Sequence, residues 1–185
     1  HAANPYANRD PRLALTVYMN GASFQNTTIE TFEGGAHKNI KNGTLTGYYL
    51  RKFVDSNINL VTNGTSNHPW VIFRISEIYL NYAEALIEIG GSNNLKIAKK
   101  YMDKVRKRAG IPGVDESIQK YANDEWKGKE NEQETLRQFV RQERQIEFYL
   151  EGQRFWDLRR WSEGISDMQS INEPVYGIYS DNPLE

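Results

Sequence analysis

The stretch "FRISEIYLNYAEALIEIGGSNNLKIAKKYMDKVRKRAG", residues 73–110, decides the fold, because a glycine pair separates two apolar patterns of helical period. The stripe in the first half comprises Ile75, Ile78, Tyr79, Tyr82, Ala83 and Leu86. The stripe in the second half comprises Leu95, Ala98, Met102, Val105 and Ala109. Gly90 and Gly91 end the first helix, and Gly110 ends the second. The stretch predicts an antiparallel helical hairpin of about 34 residues, the length of a tetratricopeptide unit.

Two further helices are predicted downstream of the hairpin. The first spans Thr135–Leu150, and its buried face is predicted to comprise Leu136, Phe139, Val140, Ile146 and Leu150. Gly152 interrupts the pattern, and "QRFWDLRRW", residues 153–161, predicts a short helix after it. We place Trp70, Trp156 and Trp161 in the core. The polar residues 113–131 predict a loop or a short irregular helix.

The first 69 residues have a different character, being rich in Asn, Thr and Gly and poor in helical periodicity. Asp10 can cap a short helix that begins at Pro11. Leu13–Met19 and residues 46–55 are interpreted as strands. The predicted fold class is therefore mainly α, with helical hairpins and a loop-rich N-terminal section containing short strands. We treat residues 1–185 as one unit, with a loop and strand section (1–69), a helical section (70–163) and an irregular tail (164–185).

Composition excludes several classes of function. A formal net charge of -1 creates no global field for nucleic acid. The absence of cysteine rules out disulfides, thiolate metal sites and a cysteine nucleophile. No apolar run is long enough to span a bilayer. His1, His37 and His68 lack the spacing of metal ligands, so neither a metal nor another cofactor is expected.

The carboxylates of the third helix admit two interpretations. Glu143 falls within its apolar face and Glu147 lies at the edge, so they could act as the acid and base of a glycosidase. Buried carboxylates at helical spacing are more often held by arginines. We favour structural ion pairs, drawn from Glu77, Glu84, Glu143, Arg144, Glu147, Arg154 and Asp157. Further cations near these acids in sequence are Arg141, Arg159 and Arg160.

Two other groups of residues could bind a ligand. The second helix carries seven basic residues against one acid, Asp103, which suits either a phosphate-binding patch or a solvated helix face. We favour the solvated face, because the net charge is close to zero. Tyr121 and Trp126 stand in a polar segment with no periodic reason to be buried. They could form a stacking platform for a sugar, or anchor the loop in a small apolar cluster.

Five blocks follow each other along the chain: "DPRLALTV", "TGYYLRKF", "FRISEIYLNYAEAL", "YMDKVRKRAGIP" and "RQFVRQERQIEFYLEGQRFWDLRRW". In this order they resemble the SusD/RagB family of nutrient-binding outer-membrane lipoproteins of Bacteroidetes. The most specific are Glu77–Leu86 and residues 143–161. The resemblance runs from about Asn4 to Trp161 and identifies the chain as the C-terminal portion of such a protein.

This resemblance implies a SusD-like superhelix of tetratricopeptide-like hairpins packed against an irregular ligand-binding region. It also implies a surface-exposed protein that captures oligosaccharides for a SusC-like TonB-dependent transporter in the outer membrane, without being an enzyme. Family members are attached through a lipidated cysteine, which this chain lacks. The alternatives are a glycoside hydrolase using Glu143 and Glu147, and a tetratricopeptide-type adaptor that binds peptides.

Overall fold

The computed structural model describes residues 5–38, 40–41, 43–59, 62, 64–67, 70–121 and 131–161. The chain divides into two compact units. One comprises residues 1–69 and 158–185, and the other comprises residues 70–157. The first boundary between the units, after residue 69, therefore coincides with the change from a loop-rich sequence to helical periodicity.

The first unit begins with a short helix, α1 (Pro11–Thr16). Asp10 caps it by accepting a hydrogen bond from the backbone N–H of Arg12, and Pro11 occupies the first helical position, as predicted. The predicted strand over Leu13–Met19 is therefore wrong for most of its length. The cap and the proline start a helix through residues whose side chains also suit a strand, and only β1 (Val17–Tyr18) remains extended.

Four two-residue strands form two small antiparallel pairs in this unit. β1 pairs with β4 (Tyr49–Leu50), whereas β2 (Ser23–Phe24) pairs with β3 (Thr27–Thr28). The strand predicted over residues 46–55 is thus reduced to two residues. Phe53 adopts a left-handed backbone with φ 68°, which a strand does not accommodate.

The second unit contains the predicted hairpin, which is confirmed as α2 (Ile75–Ile89) and α3 (Ser92–Arg108). Gly90 and Gly91 have φ values of 75° and 84°, and this conformation lets the chain reverse within two residues. Two more helices follow, α4 (Val114–Tyr121) and α5 (Glu132–Glu147), and α6 (Gln153–Trp161) begins after Gly152. The helix predicted over Thr135–Leu150 is confirmed with its bounds shifted by about one turn.

The hydrophobic core of this unit lies between α2, α3 and α5, with α4 at its edge. All four helices contribute side chains that are almost completely buried: Leu80, Ala83, Ile87, Ala98, Met102, Val105, Val114, Leu136 and Val140. The side-chain amide of Gln133 on α5 donates to the backbone carbonyl of Ile87, 2.6 Å away. This bond satisfies a carbonyl that the end of α2 leaves open.

The buried face of α2 differs from the predicted stripe. Ile75, Ile78 and Tyr82 are 56%, 50% and 45% exposed, whereas Leu80 and Ile87 are fully buried. Apolar residues surround much of this helix, so their period alone does not select the side that packs on α5.

Three other core assignments are wrong. Trp70 and Trp156 are 66% and 62% exposed, and Leu150 is exposed in the turn that follows α5. Trp161 is buried as predicted. None of the helices in the described ranges is both long and apolar enough to cross a bilayer.

Candidate functional site

Glu143 lies at the centre of a buried group that joins α3, α4 and α5. Its carboxylate accepts a hydrogen bond from Nη1 of Arg106, 2.5 Å away, and its side chain is 2% exposed. Arg106 also donates to the carbonyl of Pro112 and to the hydroxyl of Ser117, each at 2.7 Å. Its guanidinium stacks on the ring of Phe139, 5.0 Å from the centroid. Each of the three guanidinium nitrogens of Arg106 therefore donates a hydrogen bond.

Glu147, one turn later, ties the end of α5 to the start of α2. It is buried, and its Oε1 accepts hydrogen bonds from both Arg74 and Arg108. Arg74 also holds Glu151 through two bonds of 2.9 and 2.8 Å. Burial alone would lower the pKa of Arg74, but its hydrogen bonds to Glu151 and Glu147 raise that pKa above its ordinary value. The guanidinium stays charged between its two acids.

A third buried pair joins α5 to α6. Nε and Nη2 of Arg144 donate to the two carboxylate oxygens of Asp157, each at 2.9 Å. Nη1 of Arg144 donates to the side-chain oxygen of Asn81 on α2, and Glu84 lies 3.7 Å from Nε. One arginine thus connects three helices.

Glu77 and Arg154 are the two remaining residues of the predicted set. Glu77 is half-buried in the first turn of α2 and forms no ion pair with a described residue. A carboxylate at this position interacts favourably with the helix dipole without a cationic partner. Arg154 is exposed in the first turn of α6.

The geometry bears directly on the catalytic interpretation of α5. Glu143 and Glu147 are both occupied by guanidinium groups and at most 3% exposed. A glycosidase needs two carboxyl groups that flank the scissile bond, with room for substrate and water. A sugar could reach either acid only by breaking a buried ion pair. No group of three or more His, Asp or Glu side chains suited to a metal occurs among the described residues either.

The segment predicted to bind a ligand begins at α4, which is fixed to α3. The backbone N–H of Val114 donates to the carboxylate of Asp103, 2.8 Å away, and the Val114 side chain is fully buried. The bond from Arg106 to Ser117 holds the next turn. Tyr121 is the last residue of this helix. Its side chain, and the whole of Trp126, lie outside the described residues.

Lys99 adds a polar clamp beside α4. Its ammonium donates to Asp115 on α4 and to Glu132 at the start of α5, at 2.9 and 2.8 Å. Burial alone would lower the pKa of Lys99, but the bonds to Glu132 and Asp115 raise it. The clamp ties the first turn of α4 and the first turn of α5 to the same lysine.

Sequence reasoning missed a surface on the hairpin where tyrosines meet a lysine. Tyr101 on α3 packs edge-on against Tyr79 and Tyr82 of α2, with ring centroids 5.5 and 4.9 Å apart. Nζ of Lys104 lies 4.7 Å from the ring centroid of Tyr79 and 4.5 Å from that of Tyr101. The spacing of Tyr101 and Lys104, three residues apart on one helix, was the available signal.

These elements define a class of protein: a helical-hairpin scaffold of tetratricopeptide type, with its helices tied together by buried arginine–carboxylate pairs. The particular family follows from comparison, because a model of the SusD family matches residues 1–183. The chain belongs to the SusD family.

Solved structures with the same fold come from Bacteroides fragilis. A SusD-like protein of this organism is 29% identical with a TM-score of 0.64, over 87% of this chain and 29% of its own. A SusD-like carbohydrate binding protein of the same organism is 29% identical with a TM-score of 0.65, over 86% of this chain and 30% of its own. The chain thus spans less than a third of the length of either protein. None of the curated proteins matches it.

Proposed function

We propose that this chain is part of a cell-surface protein that binds oligosaccharides and passes them on without chemical change. Membership of the SusD family supports this proposal, as does the likeness to a SusD-like carbohydrate binding protein. The receiving partner would be a SusC-like TonB-dependent transporter, and the protein would be a lipoprotein on the outer membrane.

The observation that favours binding over hydrolysis is that both α5 carboxylates are buried and bonded to arginines. Glu143 and Glu147 were the best candidates for an acid and a base, and arginines hold both of them in the core. Their role in this proposal is to fix the relative positions of the helices. Such rigid elements support a binding loop better than a flexible scaffold does.

The ligand would bind at the segment that follows α4. Binding residues concentrate on loops that a rigid framework positions. Here Asp103, Arg106 and Lys99 fix α4 and the start of α5, between which residues 122–130 run. Tyr121 and Trp126 would supply flat ring faces on which sugars stack.

A screen of soluble glycans followed by calorimetry tests this proposal. We expect saturable binding of at least one oligosaccharide, with a loss of roughly tenfold or more for Trp126→Ala, since aromatic contacts of this kind dominate small interfaces. Trp156→Ala is a matched control because Trp156 is exposed on α6. Preferential capture of peptides, or equal affinity of both variants, would contradict the assigned ligand or the assigned site. Co-purification with the transporter from native membranes tests the partner separately.

A further inference from the structure

A strip of uncompensated positive charge runs along the exposed side of α3. Its members follow each other at intervals of four, four and three residues, so they share one face of the helix: Lys96, Lys100, Lys104 and Lys107. All four are exposed, and none forms an ion pair with a described residue. Along the helix axis the strip extends about 16 Å.

Other cations of the same helix behave differently. Lys99 is paired with Asp115 and Glu132, and Arg108 donates to Glu147. Three cations of α3 are thus paired with acids on α4 or α5, whereas the four lysines of the strip form no ion pair with a described residue.

The three tyrosines described above border this strip at Lys104. Tyr82 is 45% exposed, whereas Tyr79 and Tyr101 are partly buried. None of the three hydroxyl groups hydrogen-bonds to a described residue. Tyrosine offers both a ring face for an apolar patch of a ligand and a hydroxyl for its polar groups. We call the four lysines and three tyrosines together the Lys–Tyr surface.

We propose that the Lys–Tyr surface binds acidic oligosaccharides, meaning glycan chains that carry carboxylate or sulfate groups. This inference rests on the proposed function and adds a second contact region with a stated class of ligand. Neighbouring lysines stand about 5–6 Å apart, one helical turn, so they suit charges repeated along an extended chain. The tyrosine rings can stack on the sugar rings of such a chain. A simple anion has no ring that they could contact.

Each exposed ammonium group contributes little alone, and salt screens its attraction. Binding at this surface must therefore depend on several lysines at once, and it must weaken as ionic strength rises. The ring contacts are less sensitive to salt, so Tyr101→Ala should lower affinity at low and high salt alike.

Dextran and dextran sulfate of equal chain length provide matched ligands, because they share one backbone and differ in charge. We compare the whole chain with a triple variant, Lys96→Gln, Lys100→Gln and Lys107→Gln, and with Lys41→Gln, an exposed lysine outside α3, as the control. Glutamine retains helix propensity, and circular dichroism verifies the fold. We expect dextran sulfate to bind at least tenfold more tightly than dextran at low salt. The triple variant should lose most of that difference, and Lys41→Gln should change affinity less than twofold.

Three results would overturn the inference. One is equal binding of dextran and dextran sulfate, and a second is unchanged affinity of the triple variant for dextran sulfate. The third is that the triple variant loses binding to vesicles of phosphatidylserine but not to dextran sulfate, which would make the strip a membrane contact. If neutral glycans bind and acidic ones bind no better, this inference fails alone. If no glycan of either kind binds, the proposed function fails with it.

Discussion

Removal of the Glu143 carboxylate would leave the guanidinium of Arg106 in the core without its charged partner. The two groups are 2.5 Å apart, with side chains 2% and 10% exposed. Breaking a buried pair by deleting one member costs about 3–5 kcal/mol. Arg106 keeps its bonds to Pro112 and Ser117, so we expect the lower end of this range. Glu143→Ala should lower the free energy of unfolding by about 3 kcal/mol.

Urea denaturation followed by circular dichroism measures this change. Gln142→Ala is the control, because Gln142 is exposed on the same helix and should cost less than about 0.5 kcal/mol. A double-mutant cycle with Arg106→Met isolates the pair. Once the carboxylate is gone, removing the guanidinium should cost about 2 kcal/mol less than it does in the wild-type protein.

A loss below about 1 kcal/mol would be the value of a solvent-exposed ion pair. Together with a coupling energy near zero, it would refute the argument that Glu143 and Arg106 hold α3 and α5 together. Both acids of α5 would then need to be reconsidered as reactive groups.

Three further changes test other parts of the structure. Ile87→Ala removes a fully buried side chain between α2 and α5 and should cost about 2–5 kcal/mol in thermal or urea unfolding; a loss under about 1 kcal/mol would contradict the packing. Gly90→Ala places a Cβ where φ is 75° and the Gln133 amide is 3.1 Å away, so we expect a loss of about 1–3 kcal/mol, and an unchanged stability would show that this turn is not strained. The hydrogen bond from Arg137 holds the pKa of Glu88 below its ordinary value of 4.5, although partial burial opposes this. A lowered pKa stabilises the folded state above pH 4.5, and this contribution disappears as pH falls through the folded-state value. Glu88→Gln should therefore reduce the loss of stability on acidification below pH 4.5, and an unaltered pH profile would contradict the pairing.

The hairpin could be predicted from local signals alone. The predicted stripe of α3 is buried at four of its five positions, because charged residues occupy the other sides of that helix. The glycine pair also fixed the position of the turn, since Gly90 and Gly91 adopt conformations that other residues rarely reach.

The buried side of α2 could not be predicted in the same way. Its sequence places isoleucine or tyrosine on the side that faces solvent as well as on the side that faces α5. The choice between two apolar sides is made by packing against a helix about 50 residues further along the chain, and local periodicity does not contain that information.

The partners of the buried acids could not be predicted from the sequence either. The sequence suggests cations that are near Glu143 and Glu147 along the chain, whereas Arg106 and Arg74, which pair with these acids, are 37 and 73 residues away. Tertiary packing alone brings them together. A buried carboxylate in an apolar stripe did predict that some cation must be present, because an unpaired charge in the core is too costly.

Incubation of the protein with a bound oligosaccharide, followed by mass analysis of the recovered sugar, distinguishes binding from hydrolysis. We expect saturable binding and complete recovery of unchanged oligosaccharide after prolonged incubation. We also expect any glycan binding to survive Glu147→Gln, provided that the variant is folded. Cleavage products that accumulate with time, and that disappear in Glu143→Gln and Glu147→Gln variants with native circular dichroism, would contradict it.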